Sequence, residues 1–421
     1  MRKSLLLIMV LFITNSLLAQ NIIIKNIQFE GLKRTKESFL RRLVKVKPLS
    51  AYNIEQIETD VERLNRLPGI AKAIYRLDKT NPTEYVLTYQ IVENFTIIPG
   101  VRVSQANDDS FAFRLSVFEF NFLGQNQIIG GFYGRNVFDS FGGYWEAPYL
   151  FSNKLGIGVN YIKNVMREPI FFPNDNTVNY KLDNLSTEIY ALYELDFHNN
   201  FQLGIKYVDQ EYSFIDGAVT AQVPNELSAQ KWSVLSEYEN NHLVVDYQYV
   251  YGFRNFTNVE LITGGEGLLD DELIAQTDFQ YFKKVGEKGN WANRLKLSYA
   301  TFNDSRFAPF ALDNQLNIRG AGNSTGRGTA EITLNTEYRH TLYEKDWFVL
   351  QSNTFLDTGT RRNPTGDLND LVSNSTLKVN PGLGIRFIHK RIFNAVIRFD
   401  YGFGIGNNAT NGFVFGIGQY F

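Results

Sequence analysis

The chain of 421 residues has no cysteine. A disulfide framework, a thiolate metal site and a lipoprotein anchor are therefore excluded, and stability must come from a packed core or from a membrane. Net charge is also scarce, at −2, so no electrostatic pull towards nucleic acid is implied. There are only four histidines, His198, His242, His340 and His389. They are far apart in sequence and no two share ligand spacing, so no metal or other cofactor is expected. Long apolar runs are missing too. Leu5 to Ile13 is too short for a membrane-spanning helix. It follows Arg2 and Lys3 and ends near Ala19-Gln20, which is the layout of a secretory signal peptide over residues 1–19, although Leu17 stands where a small residue is preferred. Past residue 95, helical periodicity is almost absent.

What is abundant is aromatic and small. The chain holds 34 Phe, 23 Tyr and 33 Gly, yet its mean hydropathy is −0.23. A soluble enzyme of this length would show helical stretches between its strands. Aromatic- and glycine-rich alternation with a period of two, sustained to the end, is what a transmembrane β-barrel needs.

Residues 21–95 read as a separate α+β domain. Residues 22–29 form a strand closed by Gly31. Thr35 can cap a short helix that turns Leu40 and Leu43 inward. Asn53 can cap a second helix, with Gln56 at the capping-box position and Ile54, Ile57, Val61, Leu64 and Leu67 as its apolar stripe. Pro68-Gly69 ends it. Two strands follow, about 70–78 and 84–93, joined through Lys79-Thr80-Asn81-Pro82. The order βααββ, the strand ending Phe29-Glu30-Gly31 and the exit Val92-Glu93-Asn94 resemble a POTRA domain.

Residues 96–421 carry sixteen candidate strands, from 97–105 to 410–421. Short turns at 151–154, 198–200, 285–290, 343–346 and 389–391 alternate with longer loops at 165–182, 213–228, 257–272, 303–326 and 359–375. Transmembrane barrels have short periplasmic turns and long external loops. An even strand count returns Phe421 to the side on which strand one begins. Side-chain parity agrees. In 327–342, Glu331, Thr333, Asn335, Glu337 and Arg339 oppose Ile332, Leu334 and Tyr338. In 376–388, Lys378, Asn380 and Arg386 oppose Val379, Leu383, Ile385 and Phe387, and in 392–404, Arg398 and Asp400 oppose Ile397, Phe399 and Tyr401. The charged face must be the lumen, because a charge facing lipid costs about 2–4 kcal/mol at the midplane. The predicted fold is mainly β: a 16-stranded antiparallel transmembrane barrel preceded by one small α+β domain. A soluble β-sandwich would need a second sheet over its aromatic face and leaves the loop alternation unexplained.

Several motifs carry less than they promise. Gly322-Asn323-Ser324-Thr325-Gly326 matches G-x-S-x-G, but that pattern works only at a strand-to-helix elbow, and no helix follows. Asp270, Asp271 and Glu272 could bind calcium, although a solvated loop accounts for them as well. No phosphate loop is present.

Leu316-Asn317-Ile318-Arg319-Gly320 resembles the V-R-G-F/Y motif in the sixth external loop of the BamA-like outer-membrane assembly and translocation superfamily. Phe355-Leu356-Asp357-Thr358-Gly359 resembles that superfamily's F-x-D-x-G motif, and Glu337-Tyr338-Arg339 its E-x-R strand. Gly382-Leu383-Gly384-Ile385-Arg386-Phe387 and Arg398-Phe399-Asp400-Tyr401-Gly402 fit its last strands. The resemblance spans nearly the whole mature chain. Ala321 replaces the usual aromatic, Gln419 interrupts the terminal alternation of Phe413, Phe415 and Ile417 before Phe421, and only one POTRA-like domain fits where members generally carry more.

The resemblance implies an outer-membrane protein, not an enzyme, whose N-terminal domain lies in the periplasm. It implies that loop six folds into the lumen and that Arg319, with Gly320 for the reversal, meets Asp357 beside Gly359. The eight residues to position 327 reach about 27 Å, near the thickness of the hydrocarbon core. Glu337, Arg339, Arg386, Arg398 and Asp400 would line the same lumen, either as function or as plain solvation. Pro99 and Gly100 make the first strand poor, and with Phe421 on the last strand they mark a weak closing seam. The implied function is insertion or translocation of other proteins at the outer membrane. The implied partners are lipids, unfolded outer-membrane or secreted clients, and periplasmic chaperones or accessory subunits. Rivals are a two-partner-type secretion pore, for which a plug helix ahead of the POTRA region is expected and none is legible, a passive pore or receptor, and a lipase using Ser324.

Overall fold

The computed structural model describes residues 22–105, 111–172, 176–220, 223–313, 316–322, 326–393, 395–406 and 409–421. The signal-peptide segment and Ser324 lie outside the described residues. The chain divides into two units, one ending at Glu93 and one beginning at Asn94.

The first unit runs β1 (Ile23–Glu30), α1 (Glu37–Leu43), β2 (Ser50–Ala51), α2 (Ile54–Asn65), β3 (Ile70–Asn81) and β4 (Glu84–Glu93). Its sheet order is β2-β1-β4-β3, with β1 parallel to β4 and β3 antiparallel to it. Leu40, Leu43, Ile57 and Leu64 of the helices are buried, as are Ile24, Ile27, Leu87 and Tyr89 of the sheet. Asn53 caps α2, its side chain accepting from the Gln56 amide at 3.0 Å. Thr35 does not cap α1. Lys36 holds that position without a side-chain bond, and the Thr35 amide donates to Glu93 Oε1 at 2.8 Å. The helix therefore starts one residue later than the sequence suggests, with Thr35 held to β4 through its amide.

One buried carboxylate ties this unit together. Asp60 on α2 accepts the Lys45 amide at 2.8 Å, the Val46 amide at 2.9 Å and the Tyr89 hydroxyl at 3.2 Å. Burial raises its carboxyl above the ordinary 3.8, against those bonds and the nearby Arg63, which lower it. Burial, together with the Asp60 charge, pushes the Tyr89 hydroxyl far up.

The second unit is a closed antiparallel barrel. It comprises β5 (Ile97–Gln105), β6 (Phe111–Phe122), β7 (Gln127–Asn136), β8 (Phe138–Ala147), β9 (Leu155–Phe172), β10 (Asn176–Glu194), β11 (Asn199–Gly217) and β12 (Glu226–Asn241). After a three-residue strand β13 (Val244–Asp246) come β14 (Tyr249–Thr263), β15 (Glu272–Val285) and β16 (Gly289–Ala300). A small hairpin of β17 (Phe310–Ala311) and β18 (Arg327–Gly328) precedes β19 (Ala330–Lys345), β20 (Phe348–Arg362), β21 (Lys378–His389), β22 (Val396–Phe403) and β23 (Asn411–Ile417). Leaving out β13, β17 and β18, sixteen strands form the wall, and β23 closes on β5. Outward residues such as Leu203, Ile205, Leu334 and Leu383 are exposed, the belt a lipid-facing surface requires, whereas Glu331, Thr333, Asn335, Glu337 and Arg339 are buried inside.

The wall is uneven in height. We call the end where β5 starts the near end. Strands β7 and β8 have ten residues each, about one membrane crossing, whereas β10 and β11 have nineteen. The expected loop 165–182 is therefore largely ladder, paired up to Asn176↔Phe172. Strands also extend into the expected loops 213–228 and 257–272, with β11 reaching Gly217 and β14 reaching Thr263. The extension is stabilised by a core at the far end made of Ile170, Phe172, Val178, Tyr180 and Tyr212, against which Phe307 of the long 303–326 connection packs. At the near end, the expected single strand 242–256 breaks at His242 into the β13–β14 hairpin. Gln248 of that hairpin donates to Glu344 at 2.7 Å, and the Tyr249 hydroxyl to Thr341 at 3.2 Å.

Candidate functional site

Residues 311–313 and 316–321 lie inside the barrel, and the wall fixes 316–321 strand by strand. Arg294 of β16 donates to the Leu316 carbonyl at 2.6 Å, and Asn335 of β19 to the Asn317 carbonyl at 2.8 Å. Asn380 of β21 donates to the Arg319 carbonyl at 3.1 Å, and the Thr410 hydroxyl to the Gly320 carbonyl at 2.8 Å. Gly320 has φ +87°. A Cβ there would lie 2.6 Å from the Gly402 carbonyl oxygen, and one on Gly402 would strike the Arg319 carbonyl. The reversal needs glycine on both sides. Gly359 likewise leaves room for Ile318, which packs with Leu312 and Ala321.

Arg319 is fully buried at the centre of this crossing. Its Nε and Nη2 donate to the two Asp357 oxygens at 2.8 and 2.9 Å, a bidentate fork, and its backbone amide adds a third bond at 3.0 Å. Nη1 donates to Glu337 at 2.6 Å and lies 3.7 Å from Asp400. The rings of Phe355 and Tyr420 lie 3.5 and 4.4 Å from the guanidinium carbon. Arg339 pairs with the other Glu337 oxygen. Arg386 donates to Asp400 at 2.6 Å and lies 3.6 Å from Glu337, while Arg398 approaches Asp400 at 3.5 Å and Tyr420 at 4.9 Å. The structure thus brings Arg319, Asp357, Glu337, Arg339, Arg386, Arg398 and Asp400 into one desolvated cluster of four cations and three carboxylates.

The seam residues are placed differently. Pro99 and Gly100 lie in β5 opposite Val117 and Ser116. Phe421 does not end the last strand. β23 stops at Ile417, Gly418 takes φ +93°, and the chain turns inward. Gln419 accepts from Arg386 at 3.3 Å, Tyr420 is buried over Arg319 and Arg398, and the Phe421 carbonyl accepts from Arg339 at 3.2 Å. Gln419, which breaks the alternation, was the signal for this turn in the sequence. Nothing in the sequence marked Tyr420 as a lid on Arg319, or Asn335, Asn380 and Thr410 as holders of the loop backbone.

Two histidines that are distant in sequence meet in space. His198 and His242 are neighbours, with rings stacked at 3.9 Å, because adjacent hairpins bring both to the near rim. Among the described residues no group of three His, Asp or Glu is placed to hold a metal. In the acidic loop, Asp271 accepts the Gly265 amide and Asp270 the Asp271 amide.

Residues 22–94 match the POTRA family model, described as a surface antigen variable number repeat. A search of curated proteins by sequence finds no match. Among solved structures, BamA from Haemophilus ducreyi lacking POTRA domains 1-3 is similar at 15% identity and TM-score 0.57, covering 94% of this chain and 84% of that one. CdiB from Escherichia coli is similar at 12% identity and TM-score 0.66, with 94% and 76% covered. CdiB from Acinetobacter baumannii is similar at 11% identity and TM-score 0.58, with 95% and 74% covered. The chain is a POTRA-plus-barrel protein of BamA-like fold.

Proposed function

We propose that this protein inserts or translocates other proteins at the bacterial outer membrane. In this reading the POTRA domain (about residues 21–95) lies in the periplasm and receives unfolded clients, the barrel (about 96–421) sits among outer-membrane lipids, and the near end faces the periplasm. The observation that carries the proposal is the desolvated Arg319 cluster. A passive pore has a wet lumen, whereas here a pinned chain segment with a fully buried arginine crosses it. The far-end core around Tyr180 and Phe307 adds a second obstruction. A client must therefore use a movable element, and the seam of β23 with β5 is the joint that Pro99, lacking an N–H, and side-chain-less Gly100 weaken. The exposed edge of the POTRA sheet offers clients backbone pairing. The reading assigns no catalytic residue, and chaperones or accessory subunits would deliver the clients.

The test is a cysteine scan along β5 and β23 in full-length protein reconstituted in liposomes with an unfolded barrel client. The chain has no cysteine, so only the introduced pair can cross-link. The oxidised staple should abolish client insertion, and reduction should restore it. Full activity with the staple formed would overturn the lateral route. Client delivered into the vesicle lumen, with the seam stapled, would instead favour a secretion pore.

A further inference from the structure

A cavity of about 270 Å3 lies in the far half of the barrel, apart from the Arg319 cluster. Strands β10, β11, β12, β14 and β15 form its floor, and residues 302–309 and 268–270 cover it. Two side chains on one face of β12 point polar groups into it. Lys231 is 7% exposed and, among the described residues, has neither hydrogen bond nor ion pair. Ser233, 2% exposed, has a hydroxyl without a protein partner. Two acceptors in the lining are also open: the side-chain carbonyl of Asn184 has no partner, and Glu272, near enough to feel the Lys231 charge, makes no hydrogen bond among the described residues. The other charges are satisfied, Lys206 by Glu260 at 2.5 Å and Arg327 by Glu168. The remaining wall is apolar, built from Leu182, Tyr212, Ile262, Leu269 and Phe307.

A lysine only 7% exposed with no hydrogen bond or ion pair among the described residues, and a buried hydroxyl with no protein partner, cost stability, and uncharged residues of the same shape would fold better. Together in one cavity, they are groups that a bound guest would satisfy. We propose that this cavity binds a small zwitterion with an apolar body, of the α-amino-acid class. Lys231 and Ser233 donate to its carboxylate, Asn184 and Glu272 accept from its ammonium, and its side chain lies on the Tyr212–Phe307 wall. Both halves of the ligand are required by the lining. A simple anion would leave Glu272 facing a negative guest, and a simple cation would face Lys231. The volume falls just under the roughly 300–1,000 Å3 of sites for drug-sized ligands. That suits one amino acid rather than a folding client, so the site is independent of the proposed insertion route.

The test titrates L-phenylalanine, 3-phenylpropionate and phenethylamine into full-length protein folded in detergent, by calorimetry and by thermal shift. Phenylalanine should bind saturably, and each mono-ion about tenfold or more weaker, as expected for the loss of a charge-assisted contact. Lys231→Met and Ser233→Ala should each weaken phenylalanine about tenfold or more. Lys231→Met should also raise the melting temperature of ligand-free protein, which separates lost binding from lost folding. No saturable phenylalanine binding, equal binding by either mono-ion, or undiminished binding in both variants would each overturn the proposal.

Discussion

Arg319→Ala tests how the lumen is held. The arginine is fully buried and faces three carboxylates, but its loss strands only one of them. Glu337 keeps Arg339 and Arg386, and Asp400 keeps Arg386 and Arg398. Asp357 keeps only the Asn335 amide at 2.8 Å and the backbone amide of residue 319. One carboxylate is left buried with no cation, a loss of about 3–5 kcal/mol. Arg319→Lys should recover part of this, because an ammonium cannot fork onto Asp357 while reaching Glu337. The double variant Arg319→Met with Asp357→Leu removes both charges and should return most of the stability, since apolar replacement of a buried pair is often near neutral. The assay is urea unfolding of full-length protein in detergent, followed by the gel-mobility difference between folded and unfolded barrel. The loss should persist between about 0.1 and 1 M salt, because buried pairs are weakly screened. A shift below about 1 kcal/mol for Arg319→Ala, or a double variant as unstable as the single, would refute the stranded-carboxylate reasoning. If the double variant is stable yet cannot insert clients, the ion pair serves function rather than folding.

Gly320→Val should expel the crossing segment, since its φ is +87° and the added atoms meet the Gly402 carbonyl; limited proteolysis between 303 and 326 on intact vesicles would then cut faster than in wild type. Tyr420→Ala uncovers one ring contact of Arg319 and should cost about 1–2 kcal/mol in the same urea assay, less than Arg319→Ala. In the POTRA domain, burial raises the folded Asp60 carboxyl above 3.8, so the folded state holds its proton more tightly than the unfolded chain does. Its contribution is then full below 3.8 and declines as pH rises through the folded value, and Asp60→Asn should remove that slope in hydrogen exchange of the Lys45 and Val46 amides. The same variant should weaken those amides' protection by about 1–3 kcal/mol, because an amide side chain cannot accept from all three donors.

Much of this protein is local and therefore legible. Asn53 and the stripe of Ile57 and Leu64 declare α2 within about three turns of chain. Strand parity in the barrel has a period of two, so placing Glu337 inside also places Asn335 and Arg339 inside. Arg319 and Asp357 were legible because they sit in short motifs. Thr35 was misleading because the helix starts one residue later, at a Lys36 cap, while the Thr35 amide is held by the Glu93 carboxylate 58 residues away.

The sequence by itself determined which residues face lipid and which face the lumen, because a charge on the wrong face cannot be solvated there. It also determined that Gly320 would let loop six reverse. Only the tertiary structure decided which lumen residues meet, because that depends on how strands of unequal length stagger around the closed wall and on the path of a connection inside it. Stagger joined His198 to His242, built the far-end core on β9–β11, and left Lys231 facing a cavity with no carboxylate in bonding distance among the described residues. The inward turn at Gly418 carried Tyr420 onto Arg319, a contact between residues 101 positions apart that no local pattern encodes.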